Sequence, residues 1–152
     1  MPAVTEHGEQ KAVCDYLNTS YPHVLFFSVP NGASLSSPRQ MSKLKSEGLL
    51  PGVCDLIIFE HHGGYAGMFL EMKRLIGGVV SENQAWFLAE VERRHGYGVV
   101  AAGFEEARDF VDEYLSWPKT VFGVSTNETP LPFEGNIVSV DVGNKHTTLI
   151  TG

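Results

Sequence analysis

The chain has 152 residues, a formal net charge of −7 and a pI near 5.3, with 43% hydrophobic and 19% charged residues. Those figures suit one domain with one real core, and they argue against a protein that coats nucleic acid, which would be basic. No apolar run is long enough to span a bilayer and the opening "MPAVTEHGEQ" has no signal-peptide character, so a cytoplasmic protein is expected.

In chain order, "TEHGEQKAVCDYLNT" predicts a helix capped by Thr5, with Gln10, Val13, Cys14 and Leu17 on one side. "HVLFFSV" at 23–29 predicts a strand stopped by "PNG". "SPRQMSKLKSEG" predicts a short helix with Ser37 as cap, Pro38 at its first position and Gly48 at its end. Strands are expected over 53–59 and 67–73, joined by "EHHGGYA" as a β-hairpin. A helix over 81–96 ending on Gly96, a strand over 97–102 and a helix over 104–117 follow. The order α-β-(α)-β-β-α-β-α defines an α/β fold. We divide the chain into a domain over 1–117 and a β-rich extension over 118–152, with a second hairpin around Gly143-Asn144 that packs on the domain or on a partner subunit.

Side chains alternate faces along a strand, so a hairpin centred on Gly63-Gly64 sets Asp55 opposite Glu71, with Lys73 two residues on. Cross-strand Cβ atoms lie ~5 Å apart. Two carboxylates that close repel unless one is protonated or a cation lies between them, and hard oxygen ligands favour Mg²⁺ or Mn²⁺. The competing explanation is an ordinary half-exposed sheet face: Asp55 caps a turn, while Glu71 and Lys73 pair with each other or meet solvent.

Four stretches in fixed order bear on that choice: "PNG" at 30–32, "KLKSEGLLPGVCDLIIF" at 43–59, "GMFLEMKR" at 67–74 and "GGVVSENQAWFLAEVERRHGYGVVAA" at 77–102. Together they resemble the VRR-NUC branch of the PD-(D/E)xK nuclease superfamily, over roughly residues 5–115, in its compact stand-alone form from phages and bacteria. The resemblance implies an α-β-β-β-α-β core with a central mixed sheet flanked by helices. It implies Asp55 and Glu71 as ligands of Mg²⁺ or Mn²⁺, the Met72 carbonyl as a third ligand, Lys73 as catalytic lysine and Gln84 as a supporting residue. The first helix supplies a further acid, Glu6 by preference because Glu6 and Gln10 share a helical face, with Glu9 in reserve. The resemblance also implies DNA as substrate, branched DNA and four-way junctions in particular, cut by a homodimer, and a host cytoplasm if the chain is phage-encoded. Cys54 stands where the superfamily name has proline.

Several residues have plainer roles open to them. Ser81 and Gln84 read as a capping box. Glu6 favours a helix N-terminus through the macrodipole. His61-His62 reads as an exposed turn, Trp86 and Phe87 as core or interface, and Arg74, Arg93 and Arg94 as solvated. Cys14 and Cys54 lack metal-type spacing and read as reduced structural thiols. The polar segment carrying Asn31, Ser36, Arg39, Lys43 and Lys45 is a candidate for phosphate contact, or else an ordinary surface loop and helix. The leading expectation is a metal-dependent endonuclease. A nuclease acting on flap, nicked or linear DNA, and a non-catalytic binding or assembly module, stay open beside it.

Overall fold

The computed structural model describes residues 5–30 and 37–120, and the backbone of 136–142 and 145–151. The elements are α1 (Glu6–Ser20), β1 (Phe26–Ser28), α2 (Pro38–Ser46), β2 (Leu56–Ile58), β3 (Met68–Lys73), α3 (Glu82–Glu92), β4 (Tyr97–Ala102), α4 (Gly103–Ser116), β5 (Asn136–Val142) and β6 (Lys145–Thr151). Their order is the expected one. β1 to β4 form one sheet in sequence order, antiparallel at β1–β2 and β2–β3 and parallel at β3–β4, so the sheet is mixed. β5 and β6 form a separate antiparallel pair, with Val142 opposite Lys145; Gly143 and Asn144 themselves lie outside the described residues.

α1 forms because Thr5 Oγ1 accepts from Gly8 N at 3.1 Å and because Val13 and Leu17 bury on one stripe. With Ala107, Val111 and Tyr114 of α4, that stripe covers the sheet face carrying Leu56, Ile58, Met68, Leu70, Met72, Val99 and Ala101. α3 packs on the opposite face at β3 and β4, where the Phe87 and Phe69 rings lie 6.4 Å apart and Gly98 leaves room for Leu88. The sheet is therefore covered by helices on both faces at its β3–β4 end.

Some boundaries differ from expectation. The first three strands are shorter than the sequence runs suggest, and Asp55 lies one residue outside β2. α3 ends at Glu92 rather than at Gly96. His95 takes the left-handed conformation (φ 61°) and Gly96 N–H returns to Val91 O at 2.9 Å, which closes the helix with a 6→1 bond. Gly96 serves close packing instead, since a Cβ there would lie 2.4 Å from Val91 Cγ1. Trp86 is exposed on the outer side of α3, while Phe87 is half-buried.

The expected exposed turn at His61-His62 is corrected for His62, which is 5% exposed. The chain beyond α4 folds back on this loop: His62 bridges Lys119, Thr120 N–H donates to His61 O and Gly63 N–H to Pro118 O, at 2.8 and 2.9 Å. His62 Nδ1 meets Trp117 O at 2.7 Å, and Trp117 packs with Tyr65, Tyr97 and Tyr114. A hairpin loop reads as exposed because its packing partner lies about 55 residues away in sequence.

Candidate active site

Leu56↔Leu70 ends the β2–β3 ladder, and Asp55 just before it acts electrostatically on Glu71 just after Leu70. Asp55 is held by the main chain. Its N–H donates to Leu70 O at 3.1 Å, its carbonyl accepts from Val29 N at 3.1 Å, and its Oδ2 accepts from Met72 N at 2.7 Å. Glu71 and Lys73 point to the face covered by α3 and are 1% and 9% exposed. Lys73 Nζ donates to Glu71 Oε1 at 2.8 Å, and Gln84 Nε2 donates to the same oxygen. The other oxygen, Oε2, is buried with no hydrogen-bond partner.

Burying an ion pair is a poor route to stability, because the desolvation cost rivals the Coulombic gain. An unpartnered carboxylate oxygen adds to that cost. Burial pushes Glu71 up to about 7; Lys73 opposes the shift, and the nearby Asp55 and Glu6 carboxylates reinforce it. Burial also raises Asp55, opposed by the Met72 N–H and reinforced by Glu6. Asp55 and Glu71 thus share a single ammonium, while the charge of Glu6 acts on both. Burial pushes the Cys54 thiol up to about 12, with Glu71 and Asp55 adding to the shift, so this cysteine is an inert neighbour.

The donor set fits a hard divalent ion. Asp55 and Glu71 offer carboxylate oxygens, one of them without a protein partner, and positive charge is what both raised carboxyls lack. Among the described residues no three His, Cys, Asp or Glu side chains group closely enough to enclose an ion. Mg²⁺ is commonly held by one or two carboxylates, with the rest of its shell from water and substrate phosphate.

Glu6 and Glu9 separate clearly. Glu9 Oε2 accepts from Phe104 N at 2.7 Å, so it serves the start of α4. That helix begins at Ala102-Gly103 with no side-chain cap, and Glu106 takes the Ala102 N–H at 2.6 Å. The Ala-Gly start was the sequence signal for this role: a helix with no capping side chain must find acceptors elsewhere. Glu6, one turn earlier, is half-buried and acts electrostatically on both Asp55 and Glu71.

Gln84 fills both roles read from the sequence. Its Oε1 accepts from Ser81 N at 2.9 Å and completes the capping box, while its Nε2 reaches Glu71. A contact the sequence did not reveal fixes this turn. Gly52 (φ 86°) lies against the Asn83 main chain, where a Cβ would come within 2.4 Å. The Pro51-Gly52 pair therefore docks the approach to Asp55 onto the first turn of α3. Arg39, Lys43 and Lys45 are exposed on α2, no residue of which is buried, and Lys43 pairs loosely with Glu47 at 3.7 Å. Asn31 and Ser36 lie outside the described residues.

A mixed sheet with helices on both faces, and an acid pair with a lysine at one end of a central strand, define an α/β domain of nuclease-type fold. A solved structure described as a VRR_NUC domain protein matches with a TM-score of 0.66 and 20% identity, over 78% of this chain and 94% of that one. The chain has the VRR-NUC fold. No family model and no curated protein matches it.

Proposed function

We propose that this chain is a Mg²⁺- or Mn²⁺-dependent endonuclease that hydrolyses DNA phosphodiester bonds. One observation carries the reading: a fully buried Glu71 keeps one oxygen without a partner, beside Asp55 and under Lys73. Asp55 and Glu71, with the Met72 carbonyl as the resemblance implies, would hold the ion. When bound, it would supply Lewis-acid polarisation of a phosphoryl oxygen.

The chain's own residues do the rest. The Met72 N–H fixes the Asp55 carboxylate. Lys73 and Gln84 both grip Oε1 of Glu71, which leaves Oε2 without a protein partner and able to hold the ion. The Lys73 ammonium sets a fixed positive charge where negative charge develops on the phosphate. Glu6 is the third acid of the set and Gln84 a positioning residue. Arg39, Lys43 and Lys45 on α2, with Asn31 and Ser36 before it, would bind the DNA backbone.

The substrate we favour is branched DNA, four-way junctions above all, cut by a homodimer in the cytoplasm by residues 1–117, with 118–152 as an extension. Two symmetric cuts call for two sites related by a twofold axis. Leu25, Phe27 and Phe59 leave an exposed apolar patch at the β1 edge of the sheet, away from α3, which supports a second copy seated there.

The test is cleavage of a four-way junction, a flap, a nicked duplex and linear DNA of shared sequence, with Mg²⁺ or Mn²⁺, wild type beside Lys73→Ala. Paired symmetric cuts lost in the variant are expected. Cutting of the other forms alone would retain the nuclease and discard the junction reading. No metal-dependent cutting at all would leave a binding or assembly module.

A further inference from the structure

The loop from 74 to 81 leaves β3 directly after Lys73 and leads into α3. Its sequence is "RLIGGVVS". Ile76 is 85% exposed and Val79 is 79% exposed, and Leu75 and Val80 are exposed too. Nine large hydrophobic residues are exposed among the described ones, and four of them fall in this one short loop. Singly scattered apolar residues need no explanation, but a cluster does.

The loop is also anchored at its base. A Cβ on Gly78 would lie 2.8 Å from Lys73 Cβ and 2.9 Å from Arg74 O, so the chain doubles back onto its own start. On the same side of the loop, Leu75 Cδ1 lies 3.4 Å from where a Cβ on Gly103 would be, at the beginning of α4. The apex turns at Gly77 (φ 73°), with open space around it. An apolar tip is thus held at a fixed offset from Lys73. It carries no acidic side chain, and exposed Arg74 stands at its base, in a chain of net charge −7.

We propose that this loop is a wedge that inserts Ile76 and Val79 against unstacked bases at a DNA branch point, beside the phosphate presented to Lys73. This rests on the nuclease reading above and adds to it a determinant of substrate shape. Apolar side chains enter DNA by parting base steps, and the step costs least where stacking is already broken. Continuous duplex offers no such gap, whereas a branch does. The absence of acids lets the tip pass the phosphates, and Arg74 is set to meet them.

The experiment uses the full chain with Ile76→Ser and Val79→Ser combined, both at exposed positions. A four-way junction and a linear duplex each carry 2-aminopurine, at the crossover and at the matching position. Binding is read by fluorescence in a Lys73→Ala background that does not cut. The expected result is a fluorescence rise on the junction that the serine variant abolishes. With Lys73 intact, junction cleavage should fall about tenfold, from loss of the apolar contact with the parted bases, while affinity for linear duplex is unchanged. A rise that persists in the serine variant, or none with the native loop, overturns the wedge. A changed molecular mass of the serine variant in solution also overturns it, since the loop would then be a contact between copies. If the native chain cuts nothing, the nuclease reading fails, and the fluorescence still decides whether the loop enters a branch.

Discussion

Gln84 and Glu71 are joined by a hydrogen bond from the Gln84 amide nitrogen to Glu71 Oε1, while the amide oxygen of the same Gln84 caps Ser81 N. One side chain thus couples the start of α3 to the carboxylate at the centre of the site. The two functions can be separated by substitution. Gln84→Glu keeps an acceptor for Ser81 N and suits a helix N-terminus, yet it replaces a donor to Glu71 with a further carboxylate. We expect near-native stability and cleavage reduced about ten- to a hundredfold, the usual cost of losing a partner that orients a ligand. Gln84→Ala should lose activity similarly and also about 1 kcal/mol of stability, from the broken capping box. Thermal melts beside initial cleavage rates give both values. Equal melting temperatures for the two variants would refute the split.

The raised carboxyl of Glu71 makes the ion-free chain sensitive to pH. Its folded-state pKa of about 7 exceeds the ordinary glutamate value of 4.5. Between those values the unfolded chain loses this proton while the folded chain keeps it, so stability falls as pH rises through the window. Above about 7 the penalty is complete, because both states are ionised. Asp55, also raised, adds in the same direction. In excess chelator, wild type should lose stability between pH 5 and pH 8 relative to Glu71→Gln, which keeps an oxygen for Lys73. Parallel denaturation curves at the two pH values would contradict it.

The closeness of Asp55 to Glu71 was legible because strand alternation and hairpin symmetry are local rules, and the adjoining Leu56↔Leu70 pair has the expected register. The order of elements and the caps at Thr5, Ser37 and Ser81 were legible for the same reason. Contacts that join distant segments were not. His62 is buried by a chain that returns at Trp117–Thr120, and Glu9 reaches Phe104 across 95 residues. Neither has a periodic signature. Strand lengths were overestimated because apolar runs extend past the last ladder pair. The residues of the site were read as a set of types in order, whereas the free oxygen of Glu71, on which the proposed chemistry turns, is a matter of three-dimensional packing.

Glu6 and Glu9 should behave oppositely. Glu9→Gln weakens the acceptor for Phe104 N at the uncapped start of α4, so stability should drop by about 1 kcal/mol with little change in catalysis per folded molecule. Glu6→Gln removes a carboxylate that disfavours ionisation of Asp55 and Glu71. It should lower the pH at which Glu71 titrates, leave the fold intact and reduce cleavage. Carbon-detected NMR titration of the side-chain carboxyls would show the shift. An unmoved Glu71 midpoint would rule out the electrostatic link.

A divalent ion should stabilise the folded chain by mass action, because the acid pair exists only when β2 and β3 are paired. At pH 8, Mn²⁺ or Mg²⁺ at about 100 times its Kd should raise Tm by about 5 °C or more, and chelator should reverse the rise. Asp55→Asn and Glu71→Gln should each lose most of that rise while folding in its absence. Equal rises in wild type and both variants would place the ion elsewhere.

Gly52→Ala tests whether the approach to Asp55 is part of the site's construction. At φ 86°, any side chain is strained, and a Cβ would strike the Asn83 main chain at 2.4 Å. The substitution should cost about 1–3 kcal/mol. It should also do more than lower stability, because the displaced backbone lies between Asp55 and the turn that carries Gln84. Cleavage per folded molecule should therefore fall, and the Glu71 midpoint should move as the Gln84 contact loosens. Gly48→Ala is the matched control: its φ of 100° carries the same strain, but a Cβ there meets nothing within 4 Å. If both variants lose stability but only Gly52→Ala loses activity, the docking of that loop on α3 positions the acid pair. Equal activity per folded molecule would reduce Gly52 to a turn residue.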